Sequence, residues 1–448
     1  MRSTTTARNT SKVRKAIKEP RTQRNKRSIQ WEPDILVSQR ESDNNFLSHM
    51  TAPIRKRMPH AFAGLLALVL AAIILFAAHR VLIHLEHATI VSTAPEIFAL
   101  KNQGLAFQRA AAHSPDVLPI YGSSELLRPP APERGNIFFS TAPTGFQLSP
   151  VAGGGANMLI WLQKVGALGS TLRGKRLAIS LSPNWFCTPK PGVGGYIGNF
   201  SPMAATEMVF GSALDFGLKR DIAARMLQFP ETLEPKSFLE FALRRLASGR
   251  LLDRMVFCAL WPAGKIQAAL FELEDHWAAL HHIKHRTKLP APRLQEETVD
   301  WTQLIANASK AKSADAGRIQ QPSQFDRKIT RGSRDVDFLT GVKTSPAWID
   351  LDLLLRCLAT VHARPLILSM PLGGEFYDHA GISRSARDEF YRKLPTLVEQ
   401  YHFPVVEFQE HDEDPAFLIQ HTPHLTAKGW AYYDRALDDF FHGRLPRG

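Results

Sequence analysis

Four short apolar runs punctuate the chain at long intervals: Val117–Tyr121 (VLPIY), Leu177–Leu181 (LAISL), Pro365–Met370 (PLILSM) and Pro404–Phe408 (PVVEF). Runs of this length without alternation predict strands buried on both faces, as in a parallel sheet covered by helices. Helical spacing follows several of them. Ser383 is placed to cap a helix running through Phe390 and Leu397, and Thr426 to cap a last helix carrying Trp430, Tyr433 and Leu437. Strand-then-helix repetition predicts an α/β three-layer sandwich with a mostly parallel sheet, whose chemistry sits beyond the carboxyl ends of the strands. Residues 205–286 read as largely helical. Residues 306–337, rich in Ser, Lys, Gln, Arg and Gly, read as a flexible insertion.

One further run is of a different kind. Ala61 to Ala78 (AFAGLLALVLAAIILFAA) has no charge and is apolar on every helical face, unlike the one-sided helix of a soluble core. At 1.5 Å rise, a span of about 20 residues crosses a bilayer core of about 30 Å. Residues 59–84 are therefore expected to be a transmembrane anchor, with His79 and Arg80 at its end. The 60 residues before it are too long for a signal n-region, and no convincing A-x-A site follows. Arg55, Lys56 and Arg57 precede the span directly, which predicts a cytoplasmic N-terminus and an extracytoplasmic domain over 85–448, held at the cytoplasmic (inner) membrane.

Charge changes the picture only once it is located. The chain of 448 residues carries a formal charge of +13, but residues 1–60 hold 14 Lys and Arg against 5 Asp and Glu. The main domain is nearly balanced, which argues against a nucleic-acid partner. Residues 1–58, poor in apolar side chains, read as a disordered basic arm. Cys187, Cys258 and Cys357 match no zinc spacing, and either one disulfide or three buried thiols is open.

Chemistry gathers after the predicted strands. Tyr121-Gly122-Ser123-Ser124-Glu125-Leu126 places a serine at a sharp strand-to-helix turn, where Gly122 permits the bend and backbone amides are free for an oxyanion. Ser182-Pro183-Asn184-Trp185-Phe186 puts an amide side chain, Asn184, after the next strand. Between them, Gly153-Gly154-Gly155 offers backbone N–H groups, with Gly154 a candidate at the oxyanion. His424, just before the last helix, supplies a base near neutral pH. Singly, each is an ordinary turn or surface histidine. The order of serine, glycine loop, amide and late histidine is the layout of SGNH-type hydrolases. Near Asp275-His276, His281 and His285 share a helical face, read as a solvated basic face and not as a metal site. No cofactor motif is present.

The surrounding words resemble the DltD family over roughly residues 60–442. They are Leu118-Pro-Ile-Tyr-Gly-Ser-Ser-Glu-Leu126, Ser182-Pro-Asn-Trp-Phe186, Asn199-Phe-Ser-Pro202, Met370-Pro-Leu-Gly-Gly-Glu-Phe-Tyr-Asp378, and Pro415 to Trp430 with its Lys428-Gly-Trp. The resemblance implies an SGNH/flavodoxin-like fold and transfer of D-alanyl, or a similar small acyl group, to a hydroxyl of a cell-envelope polymer such as teichoic acid. It implies Ser124 as nucleophile, His424 as base, and a membrane-bound O-acyltransferase and a D-alanyl carrier protein as partners. In the family an Asp generally stands three residues before the histidine. Here that position is His421, which leaves Asp412 or Asp414 as the orienting acid, a Ser–His dyad, or an inactive scaffold. Removing the orienting acid from a triad can cost about 10⁴-fold in kcat. Asn184 stands where Gln is usual, and an esterase using the same serine is the alternative to a transferase.

Overall fold

A computed structural model of the chain describes residues 58–96, 104–127, 132–141, 143–189, 193–233, 237–285, 298–310, 329–419 and 424–445. The basic arm expected over 1–58 lies almost wholly outside these residues, as do 311–328 and His421. The strands are β1 (Val117–Gly122), β2 (Gln147–Ala152), β3 (Arg176–Leu181), β4 (Arg364–Ser369) and β5 (Val405–Glu407). The helices used below are α1 (Met58–Thr93), α2 (Leu105–His113), α3 (Met158–Leu168), α4 (Pro202–Phe210), α5 (Ser237–Ser248), α6 (Leu251–His285), α7 (Ala347–Thr360), α8 (Arg384–Glu399) and α9 (Ala427–Phe441).

All five strands are parallel and run in the order β2-β1-β3-β4-β5. Period-2 alternation divides their side chains between two cores. Tyr121, Leu177, Ile179 and Ile367 face a layer containing α3, α4, α7 and α8, while Leu118, Ile120, Ala178, Leu366 and Leu368 face the layer of α9. The expected three-layer α/β sandwich is thus observed, with a sheet that is wholly parallel. β2 is the strand that apolar patterning does not announce. Its sequence QLSPVA is broken by Gln147, Ser149 and Pro150, yet every residue is buried in register with β1, from Val117↔Gln147 to Gly122↔Ala152. Its Pro150 is tolerated because β2 is an edge strand. The ladder from β1 to β3 begins at Ile120↔Ala178, just past Pro119, which has no N–H to give.

The two capping expectations hold. Ser383 Oγ accepts from Ala386 N–H at the start of α8, and Thr426 Oγ1 accepts from Gly429 N–H at the start of α9. The boundaries expected for the flexible insertion do not hold at either edge. Residues 306–310 continue the helix Trp301–Lys310, and 335–337 open the helix Asp335–Thr344.

The chain divides into two compact units, 1–68 and 69–448. Within α1, the residues from His60 to Ala78 are exposed and uniformly apolar after the first, which makes this helix a candidate membrane anchor. Its later turns are different. Glu86, Ile90 and Thr93 are buried, and Ile90 packs in a small core with Phe107 and Ala110 of α2 and Ala279 of α6.

Candidate active site

In an open parallel sheet the binding crevice lies where the strand order reverses, beyond the carboxyl ends of the strands. Here that point falls between β1 and β3. The chain leaving β1 forms a tight elbow: Ser124–Leu126 is a single 3₁₀ turn directly after Ser123. Gly122 is required at the bend, because a Cβ there would lie 2.5 Å from Leu126 Cδ1 and 2.6 Å from Glu125 Oε1. The elbow is braced from both sides. Trp161 Nε1 donates to Gly122 O at 3.2 Å, and Ser123 N–H donates to Glu125 Oε1 at 2.6 Å.

His424 arrives from the other end of the chain. Leu418 and Leu425 form an antiparallel bridge, Ile419 N–H donates to His424 O at 2.8 Å, and Thr426 both caps α9 and ties back to Phe417 O. This reversal holds the imidazole so that His424 Nε2 lies 3.1 Å from Ser124 Oγ, within reach for proton transfer. Both side chains are half-buried.

A cavity of about 340 Å³ opens on Ser124, lined also by Ser123, Gly155, Ser182, Asn184 and Trp185 among others. Asn184 Oδ1 accepts from Tyr377 Oη–H at 3.0 Å, so what Asn184 offers the cavity is its N–H donors. Burial raises the Tyr377 pKa well above the usual phenol value, which keeps it a neutral donor. The glycine run behaves differently from its expectation. Gly155, at φ +76°, lines the cavity and donates its N–H to Ser123 Oγ at 3.1 Å. Gly154 is exposed instead, its carbonyl accepting from Asn199 Nδ2 at 3.0 Å.

The two candidate orienting acids are committed elsewhere. Buried Asp412 accepts from Arg387 Nε (2.9 Å) and Tyr391 Oη (2.7 Å). Asp414 accepts from Lys428 Nζ at 2.6 Å and Ala416 N at 2.9 Å, with His411 Nδ1 at 3.3 Å. Among the described residues neither carboxylate is hydrogen-bonded to His424. They are held away by two cations that neutralise them, and the sequence spacing that nominated them carries no information about those cations.

A second, smaller concavity of about 70 Å³ adjoins the first at Asn184. It lies between Pro371–Phe376 and Asp412–Ile419, the same segments that α8 clamps through Arg387 and Tyr391. Outside this region, His79, Glu272 and His276 bring ligand-type atoms within 4.8 Å of one another. Glu272 is also paired with Arg109 (2.9 Å) and His276 with Glu86 (2.6 Å), so this cluster ties α1, α2 and α6 together. The sequence reading of a solvated helix face holds for His281 and His285, which are exposed with rings 4.3 Å apart, but not for Asp275 and His276, which are buried.

The DltD protein family model matches residues 94–442, more than three quarters of the chain. The chain belongs to the DltD family. Among its relatives, Protein DltD of Bacillus subtilis (strain 168) is 27% identical over 348 residues, covering 76% of this chain and 86% of that one. Protein DltD of Staphylococcus aureus is 25% identical over 353 residues, covering 76% and 85%. That of Lacticaseibacillus rhamnosus is 22% identical over 363, covering 79% and 84%. The match begins directly after α1 and ends one residue past α9, so the DltD assignment takes in every strand and both halves of the Ser124–His424 pair.

Glu125, for which the sequence suggests no role, is part of this DltD elbow. It is buried, and desolvation raises its carboxyl pKa to about 7 against a partial offset from the Ser123 N–H. A carboxyl whose folded pKa is raised contributes most stability below its unfolded pKa of about 4.5 and loses it as pH rises towards 7. Glu125→Gln keeps an acceptor for Ser123 N–H and removes the ionisation. The variant should match wild type near pH 4.5 and exceed it by up to about 3 kcal/mol above pH 7. Denaturant melts of both proteins across that range check this, and parallel pH profiles would refute it.

Proposed function

We propose that this protein is a membrane-anchored serine O-acyltransferase of the D-alanylation pathway, passing D-alanyl to hydroxyls of a cell-envelope polymer through an ester on Ser124. Membership of the DltD family supports the pathway. The observation that carries the chemistry is the 3.1 Å approach of His424 Nε2 to Ser124 Oγ at the switch point of the sheet.

On this reading His424 Nε2 takes the Ser124 hydroxyl proton as Oγ bonds to the acyl carbon of the donor. The backbone N–H at the elbow and the Asn184 amide stabilise the tetrahedral oxyanion. Collapse breaks the bond to the leaving group, which departs with the proton from His424. The acceptor hydroxyl then gives its proton to His424 and attacks the acyl carbon, and as the bond to Oγ breaks His424 returns that proton to Ser124. The apolar run of α1 would hold the domain at the cytoplasmic membrane, with Arg55, Lys56 and Arg57 keeping the arm inside. A membrane-bound acyl exporter and an acyl carrier protein are the partners this reading requires.

A deletion strain complemented in parallel with wild type and Ser124→Ala tests the proposal. Alkali-labile D-alanine in the envelope should fall on deletion, return with wild type and stay low with the variant. A rise on deletion would make the protein an esterase, and full rescue by Ser124→Ala would make it a scaffold.

A further inference from the structure

Helix α6 is packed on one side and bare on the other. Phe257, Ala268, Asp275 and Ala279 are buried, and Gly264 lies so close to the Phe210 ring of α4 that a Cβ would fall 2.2 Å from it. Opposite them Leu252, Met255, Ile266, Leu270, Leu273 and Trp277 are 41–76% exposed. Steps of three, four and eleven residues put these side chains on one stripe. From Met255 to Leu273 every exposed residue is uncharged, including Ala259 and Ala263, which fill the gaps. The uncharged stretch from Met255 to Leu273 runs about 27 Å at 1.5 Å per residue, and an apolar surface of that length implies something that covers it.

We infer that α6 lies on the membrane as an interfacial helix, its apolar stripe among the acyl chains of the leaflet beside the catalytic domain and its N-terminal arginines among anionic headgroups. The inference rests on the reading of α1 as an anchor. Two features select lipid. First, α6 is fastened to α1 just beyond the exposed apolar turns of that helix. His276 Nδ1 lies 2.6 Å from Glu86 Oε1 with both side chains buried, and the His79 ring stands 4.9 Å from that of His276. Val69 to Phe76 of α1 and the stripe of α6 both run N-terminally from this one junction, where a chain leaving a bilayer would meet its surface. Second, the far end of α6 is basic. Arg220, Arg245, Arg250 and Arg254 surround a cavity of about 250 Å³, with Asp221 and Asp253 the acids paired there. This excess of positive charge beside exposed Leu251 and Leu252 suits lipid phosphates. Trp261 and Trp277, both exposed on α6, match the preference of tryptophan for the interface.

Nitroxide depth measurements on the full chain in lipid nanodiscs test this. Cys187→Ser and Cys258→Ser would clear the accessible thiols, and Ile266→Cys, Leu270→Cys or Arg392→Cys, at an exposed position of α8, would carry the label. In nanodiscs containing phosphatidylglycerol, oxygen should relax the labels at 266 and 270 several-fold more than a water-soluble nickel chelate does, and the order should reverse at 392. Arg250→Glu with Arg254→Glu, or phosphatidylcholine alone, should move 266 and 270 towards the nickel reagent; no change would overturn the headgroup contact. Nickel access at 266 and 270 equal to that at 392 would mean the stripe faces water. Labels closed to both reagents would mean that protein, not lipid, covers it. A chain that fails to enter nanodiscs at all would instead refute the anchor, and the inference with it.

Discussion

Ser124→Ala will abolish labelling of the folded protein by a serine-reactive fluorophosphonate, and His424→Ala will slow it by up to about 10⁶-fold. Serine hydroxyls are not acidic enough to attack at neutral pH, so a labelled serine reports a base within hydrogen-bond distance, and here that base is the imidazole 3.1 Å away. Ser123 provides an internal control, since its hydroxyl already accepts from Gly155 N–H and its amide is bonded to Glu125. Ser123→Ala should therefore keep most of the labelling. Asp414→Asn should also keep it, because Asp414 is neutralised by Lys428 and makes no hydrogen bond to His424. Loss of labelling in Asp414→Asn equal to that of His424→Ala would show that this acid acts through the imidazole. Labelling that survives in Ser124→Ala would place the nucleophile elsewhere.

What sequence could disclose here follows from how local each contact is. β1, β3 and β4 are covered on both faces, so each needs an unbroken apolar run, and each is visible as one. β2 is held by register against β1, and Gln147 finds a partner for its amide in Ser140 O at 3.0 Å, so its polar residues hide it. Ser124, Asn184 and His424 are visible because each sits at the end of a recognisable element and their order is shared with a family. The acids were not. Asp412 and Asp414 are the nearest aspartates upstream of His424, but Arg387 lies 25 residues from the first and Lys428 lies 14 residues from the second, and nothing local marks either cation as their partner. His276 likewise reads as surface because its partner, Glu86, is 190 residues distant. Periodicity reports which face of an element is apolar. It is silent on which polar groups meet in the interior.

Asp412→Ala and Arg387→Ala will each lower stability by about 3–5 kcal/mol, the usual cost of leaving one partner of a buried ion pair alone. Arg387 is fully buried and spends its guanidinium on four groups: Asp412, Asp378 at 2.7 Å, Glu413 at 2.6 Å and Ile382 O at 3.1 Å. Asp412 in turn receives the Tyr391 hydroxyl, while its own carbonyl receives Gly374 N–H at 2.6 Å. Through these bonds α8 fixes the two segments that border the smaller concavity, and one of them continues into the reversal that presents His424. Arg387→Lys should not rescue, since a single ammonium cannot reproduce the fork. The loss should be one of folding, read as a lowered denaturant midpoint with labelling preserved at low temperature in the fraction still folded. His424→Ala should show the opposite, with an unchanged midpoint and labelling lost. If Asp412→Ala instead keeps its midpoint and loses labelling, Asp412 reaches the histidine in the reactive state, and the clamp described here is secondary to that contact.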